Sequence, residues 1–461
     1  MKSVFFIAFM ILSVSAQAQQ ACDRMHYSAS VTYAVSGVLG FHQDSKLLQD
    51  IKKIVASAKY KTQVEKVEGF NDQILILDAP RLEKLIRQET PYTVSLMGRE
   101  VITQAPGLAK FRQIGLVHGD PHFGNMNIQP LLFRQGHGDR NRYTVVDLDE
   151  VSVGVFSLDF TRYMIFLKAS YAKLNKAFGK DFEQELMQSY YRGLQQKSYG
   201  TLPSFIAKPL AATPKQIRQK VSDYANARVD KDGKFRERYF KSNELAEFAV
   251  KNMKPGFLAK LNFNQDLVKR KEFKKLIEEA LIKAAQSDLG ARVQVLDIAI
   301  PVRSTGGSAQ MQRFLLSTRV QMDGESYPMI LEFKENTDKA GWEAVIEAPV
   351  KNATERYGLG LRATMDDAGP LMKVINLSSQ ASFLMRPRGN LDIEVTTSAQ
   401  TRDLALFDAY LMGLFHGGQG PEVSGNYQKQ VQANPELFQQ TVMEIADKVL
   451  KRLSEESGLK K

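Results

Sequence analysis

One stretch narrows the possible folds more than any other. From residue 114 the chain runs through a short apolar segment (114–117) and then the string His118-Gly119-Asp120-Pro121-His122-Phe123-Gly124-Asn125. A second apolar segment (127–133), a polar glycine-bearing turn (135–141) and a strand-like run (143–148) follow. Short apolar runs bounded by turn residues are strand signals, so 127–133 and 143–148 are expected to form a hairpin that joins two loops rich in functional groups. A helix, apolar on much of its surface, is expected next over 157–174.

The loops carry specific chemistry. An aspartate followed five residues later by an asparagine, on a loop after a short strand, suits phosphoryl transfer. Asp120 would accept or orient the proton of an attacking hydroxyl, and Asn125 would offer its amide oxygen to magnesium. Asp147, at the end of the next strand, would hold the same ion against nucleotide phosphates. Asp149 stands beside it, placed either to share the metal or to face solvent. His118 reads as a brace for the loop or as a participant in chemistry; His122 reads as a metal ligand or as a packed loop residue.

A site of this kind also needs a glycine-bearing loop between two strands and a lysine on the third to hold phosphates. Upstream of His118, Gly37 and Gly40 are isolated and no strand-borne lysine follows them. Downstream the whole unit is present. A strand (293–302) leads into Arg303-Ser304-Thr305-Gly306-Gly307-Ser308; strands 312–322 and 327–335 follow, separated by an Asp323-Gly324 hairpin turn. Alternation puts Met329, Leu331 and Phe333 on one face and Ile330, Glu332 and Lys334 on the other, so Lys334 can face a cleft while its strand packs below. Ser304, Gly306, Gly307 and Ser308 would cover the phosphates. Glu355, on a helix expected from about residue 351, is a candidate partner for Lys334 or a solvated helix residue. Trp342 and the Phe and Met stripes are core material.

These motifs resemble two known groups. His-Gly-Asp-x-His-x-x-Asn, then a strand with Asp147-x-Asp149, then Gly154 and Ser157-Leu158-Asp159, is similar to the aminoglycoside phosphotransferase and choline kinase branch of the protein-kinase-like fold. The resemblance implies that Asp120 is the catalytic aspartate, Asn125 and Asp147 are metal ligands, and Asp159 is a buried brace for the catalytic loop. The order of parts, with the catalytic loop before the phosphate loop, resembles domain-of-unknown-function family 2252, an uncharacterised bacterial group. The matching strings are Gly119 to Asn125, Val146-Asp-Leu-Asp-Glu150, Ser304 to Ser308, Glu332-Phe-Lys-Glu335, Asp159-Phe-Thr-Arg162 and Tyr410-Leu-Met-Gly-Leu-Phe-His416, spread over most of residues 85–420. The glycine loop departs from that family, with Thr-Gly-Gly-Ser where Gly-x-Gly-Ser is preferred. The implied fold is α+β: a two-lobed kinase-like fold, circularly permuted, with extra helices.

The chain of 461 residues is long enough for about two or three domains. The expected division is a leader (1–18), a mixed α/β segment (19–112), a mostly helical catalytic-loop lobe (113–290), a β-rich nucleotide-binding lobe (291–390) and C-terminal helices (391–461). Lys2, an apolar run over 4–14 and Ala16-Gln17-Ala18 form a secretory signal pattern with cleavage after Ala18, so a periplasmic or secreted location is expected. Cys22 is the single cysteine, which excludes an intrachain disulfide, and Gln19 stands where a lipobox wants an aliphatic residue. No later run is apolar for long enough to span a bilayer. The net charge of +11 favours anionic partners, but the basic clusters at 208–238 and 251–275 do not read as a nucleic-acid groove. The expected ligands are magnesium, ATP or another nucleotide, and a small-molecule or protein acceptor. A degenerate binding module is a second reading, since ATP is scarce outside the cytoplasm. A metal-dependent hydrolase using His118, Asp120, His122 and Asp147 is a third.

Overall fold

A computed structural model describes residues 45–60, 107–132, 139–171, 174–261, 271–287, 292–302, 311–322, 324–336, 341–347, 350, 352–365, 369–389 and 393–456. The leader, Cys22, Gly37, Gly40, residues 61–106 of the mixed α/β segment, and Ser304, Gly306, Gly307 and Ser308 lie outside these residues.

The chain begins with α1 (Ser45–Ser57), β1 (Lys59–Tyr60), β2 (Ile114–Val117), β3 (Met126–Leu131), β4 (Arg140–Val145) and β5 (Ser152–Val155). A helical stretch follows: α2 (Phe156–Ser170), α3 (Leu174–Phe178), α4 (Phe182–Leu194), α5 (Ser204–Leu210), α6 (Pro214–Arg228) and α7 (Glu237–Lys241). Then come β6 (Leu245–Glu247), α8 (Pro255–Lys260), α9 (Lys271–Gln286), β7 (Val293–Pro301), β8 (Arg313–Met322), β9 (Glu325–Glu335) and β10 (Ile346–Glu347). The chain closes with α10 (Ala353–Met365), β11 (Lys373–Asn376), β12 (Ser382–Arg388), α11 (Ser398–Gly417), α12 (Pro421–Ala433) and α13 (Pro435–Glu456). The fold is α+β, as expected.

Two short ribbons place the motif loops. β3 and β4 form the expected hairpin, with Met126 opposite Val145 and Leu131 opposite Arg140. β2 pairs with β5, Val117 opposite Ser152. Loop 118–125 joins β2 to β3 and loop 146–151 joins β4 to β5, so the pairing brings both loops to one end of the ribbons.

The large sheet has six strands in the order β11-β12-β9-β8-β7-β6, paired antiparallel throughout. Met322 faces Glu325 across the β8–β9 turn, and Gly324 takes φ +79° there, a conformation that suits glycine. β6 falls within the lobe expected to be mostly helical. Its three residues become a strand through their pairing with β7, Leu245 opposite Pro301.

The alternation read from β9 holds. Leu331 and Phe333 join the main core with Phe314 and Phe383, and Phe257 packs edge-on against both Phe314 and Phe383 at 5.7 Å. Each fully buried Phe contributes about 1.5–3 kcal/mol. On the opposite face Ile330, Leu315 and Ala299 pack under Tyr224 and Ala225 of α6. Farther along that face the residues are charged: Glu332, Lys334, Arg313 and Arg386 are all buried.

Two helices are buried on nearly every side, α2 and the second half of α11. α4 crosses α11 at backbone distance: a Cβ on Gly193 would stand 2.1 Å from the Tyr410 carbonyl oxygen, and one on Gly413 2.2 Å from that of Tyr190. Among the described residues no helix is long and apolar enough to cross a membrane.

Candidate functional site

Asp159, fully buried in the first turn of α2, holds the first loop from behind. Its carboxylate accepts the backbone N–H groups of His118 (3.0 Å) and Gly119 (2.8 Å) and pairs with His416 Nε2 of α11 (3.0 Å). Gly119 has φ +84°, and a Cβ there would lie 2.1 Å from the Glu150 carbonyl oxygen, so the loop cannot accept a side chain at that position without moving its neighbour. The two histidines brace the same loop. His118 Nδ1 accepts the Asp120 N–H (3.1 Å), and His122 Nδ1 accepts the Gly124 N–H (3.0 Å). Burial pushes the pKa of His118 down, which keeps its ring neutral as that acceptor role requires.

Asp120 is thereby presented with both oxygens engaged. Arg162 Nη2 donates to Oδ1 at 2.7 Å, Asn125 Nδ2 donates to Oδ2 at 3.0 Å, and His122 Nε2 lies 3.4 Å from Oδ2. Burial alone would raise this carboxyl. The Arg162 guanidinium and His122 outweigh it and hold the pKa well below the usual carboxylate range. Asp120 is therefore a fixed anion suited to orienting a hydroxyl, and a weak proton acceptor.

The second loop leaves the hairpin beside the first. The Val146 N–H donates to the Asn125 carbonyl at 2.9 Å, which sets Asp147 one residue from the strand partner of Asn125. Lys334 of β9 reaches across to this loop. Its Nζ stands 2.6 Å from Asp147 Oδ1 and also pairs with Asp149 Oδ2. The two carboxylates separate in acidity. Burial would raise both, but Lys334, Arg386 and Arg313 pull Asp147 well below the usual range, whereas burial and the neighbouring Asp147 charge keep Asp149 above it. α10 holds Asp149 from the other side: the Tyr357 hydroxyl donates to its carboxylate and Arg356 to its carbonyl. Arg386 ties the sheet to the loop, donating to the Val146 carbonyl (2.6 Å) and to Glu332 (2.9 Å), and Arg313 holds the other Glu332 oxygen at 2.9 Å.

The structure thus brings His118, Asp120, His122, Asn125, Asp147, Asp149 and Lys334 together. Glu355 stands exposed in the first turn of α10, and Lys334 pairs with Asp147 and Asp149 in its place. Residues that sequence reasoning gave no role are Arg162, Glu332, Arg356, Tyr357, Arg386 and His416. Arg162 carried a local signal, since it follows Asp159 by three residues and so shares its helix face. Arg386 and Tyr357 carried none.

The donor set fits a hard cation. Asn125 commits its amide nitrogen to Asp120, which leaves Oδ1 to turn towards a metal, and Asp147 and Asp149 supply carboxylate oxygens. Among the described residues no three His, Cys, Asp or Glu side chains converge on one point. A cation held here would take few protein ligands and complete its shell with water and substrate oxygens, the habit of magnesium.

Neither the curated proteins nor the solved structures contain a match to this chain. The model of a family described as uncharacterized protein conserved in bacteria (DUF2252) matches residues 111–456, a span that holds every residue of the site, and the chain belongs to that family.

Proposed function

We propose that the protein is an exported, magnesium- and nucleotide-dependent phosphotransferase, built on a kinase-like fold whose catalytic loops precede its phosphate-binding strands. The observation that carries this reading is the contact of Lys334 Nζ with Asp147 at 2.6 Å, across 187 residues of sequence. It brings a strand-borne ammonium to the carboxylate loop that leaves the hairpin beside Asn125, the residue that donates to Asp120. In this reading Asp120 orients the acceptor hydroxyl, Asn125 and Asp147 hold the ion with Asp149 in support, and Lys334 binds phosphate oxygens. In the same reading Ser304, Gly306, Gly307 and Ser308 would cover the phosphates. Magnesium, when bound, would neutralise phosphate charge. The chain's part is to position both reactants and to meet developing negative charge with fixed groups. The leader over residues 1–18 supports a periplasmic or secreted setting.

The pairing of Lys334 with both carboxylates favours a second reading, a binding module in which lysine has replaced the ion. Calorimetry separates the two. The phosphotransferase reading expects Mg-ATP, or Mg with another nucleotide, to bind the wild type and to bind Asp147→Asn and Lys334→Ala at least about ten-fold more weakly, the scale of one lost charge-assisted contact. Absence of binding by every nucleotide tried, with or without magnesium, would overturn it.

A further inference from the structure

We propose that Lys334 is the resident counter-cation of the Asp147–Asp149 pair, so that the site admits a divalent cation readily only when an anionic ligand draws the lysine away. This rests on the phosphotransferase reading for the identity of that ligand, a polyphosphate. The geometry of the lysine does not.

The ammonium touches one oxygen of each carboxylate. Its side chain is 1% exposed, against 30% for Asp147 and 15% for Asp149. The carboxylates are therefore the more exposed members of the cluster, and the lysine sits behind them, already compensating their charge. A metal ion bound by the same oxygens would lie within a few ångströms of Nζ, where two positive charges repel strongly at the low dielectric of a buried site. Lys334 must withdraw for the oxygens to be free.

The surroundings decide where it can go. Glu332 lies on the same face of β9, but Arg313 and Arg386 hold its two oxygens at 2.9 Å and Arg388 stands 3.6 Å away. Arg313, the cross-strand neighbour of Lys334, adds a further cation to that side. The backing of the site is thus rich in positive charge, and its carboxylate is taken. An anion arriving on the exposed side of the two carboxylates is the partner that would let Lys334 leave Asp147 and Asp149. Cation and anion then bind cooperatively, and by thermodynamic linkage each raises the affinity of the other by the same factor, typically about 5–150-fold.

The test is Mn2+ binding to the full chain without nucleotide, followed by electron paramagnetic resonance of the free ion. Lys334→Met keeps an unbranched side chain one atom shorter and removes the charge; Lys334→Gln does the same with a polar end. Wild type should bind Mn2+ weakly, and either folded variant should bind it about ten-fold more tightly, at the lower part of the coupling range. Adding Asp147→Asn to the variant should abolish the gain. Mn2+ should also raise the thermal midpoint of the variants and leave that of the wild type unchanged, which identifies a variant that has failed to fold. Equal Mn2+ affinity in wild type and in a folded Lys334 variant overturns the proposal. If that result accompanies Mg-nucleotide binding by the wild type, the phosphotransferase reading stands alone. If the variants gain Mn2+ affinity while the wild type binds no nucleotide, the counter-cation survives and the phosphotransferase reading fails.

Discussion

Asp120 shows how a single charge is set by its neighbours. The carboxylate is anchored by Arg162, whose side chain is 1% exposed against 14% for Asp120, so removing one partner leaves the other largely buried and uncompensated. Arg162→Met should cost about 3–5 kcal/mol at neutral pH, the range for breaking a buried pair, measured by chemical denaturation. The pH dependence has a definite sign. A carboxyl whose folded pKa is depressed contributes stability above its unfolded pKa of about 4 and loses it as pH falls towards the folded value. The gap between wild type and Arg162→Met should therefore be full at pH 7 and narrow as pH falls below about 4. A gap that stays constant across that range would mean that the loss arises from packing and not from the ion pair. Asp120, Asn125, Asp147 and Lys334 could be read from the sequence because each sits in a short string with a fixed spacing. Arg386 and Tyr357 could not, because they meet their loop partners across 240 and 208 residues.

At the scale of elements, the hairpin of β3 and β4 was legible from its apolar runs, and its boundaries moved for a physical reason. Strand pairing ends at Val145, and at Val146 the backbone turns to Asn125 and Arg386. Helix α11 was legible as a C-terminal helix, but its buried Asp408 was not. That carboxyl accepts the Tyr143 hydroxyl of β4 at 2.5 Å, and the same hydroxyl lies 3.1 Å from the Met126 carbonyl, just behind Asn125. Burial raises the Asp408 pKa well above the carboxylate range, only partly offset by Tyr143. A raised carboxyl contributes its stability below the unfolded pKa and loses it as pH rises through the folded value. Wild type should thus lose stability as pH climbs from about 4, and Asp408→Asn, which keeps an oxygen for Tyr143, should lack that slope and be the more stable protein at pH 8. Urea denaturation at a series of pH values measures it; parallel curves for the two proteins would refute the account.

At the scale of the whole molecule, the β-rich part meets the two motif loops through side chains of β9 and β12. The sequence offered Glu355 as a partner for Lys334, and the structure pairs that lysine with Asp147 and Asp149 of the second loop instead. The cross-connections around it follow from no local pattern: β6 leaves the helical stretch to extend the sheet, and Arg386 joins the sheet to the second loop. Arg386 donates to the Val146 carbonyl, which would otherwise lack that partner at the start of the second loop. It also pairs with Glu332, which keeps Arg313 and Arg388 if Arg386 is lost. Arg386→Met should for that reason leave the charged sheet face compensated and act mainly on the loop. Hydrogen exchange should quicken at residues 146–149 by about five-fold or more, the effect of a lost hydrogen bond of about 1 kcal/mol. Exchange in the β8–β9 ladder, whose register runs unbroken from Arg313–Lys334 to Met322–Glu325, should hardly change. The opposite pattern, with a protected loop and a loosened sheet, would mean that Arg386 serves the sheet alone and that the two parts meet chiefly through Lys334.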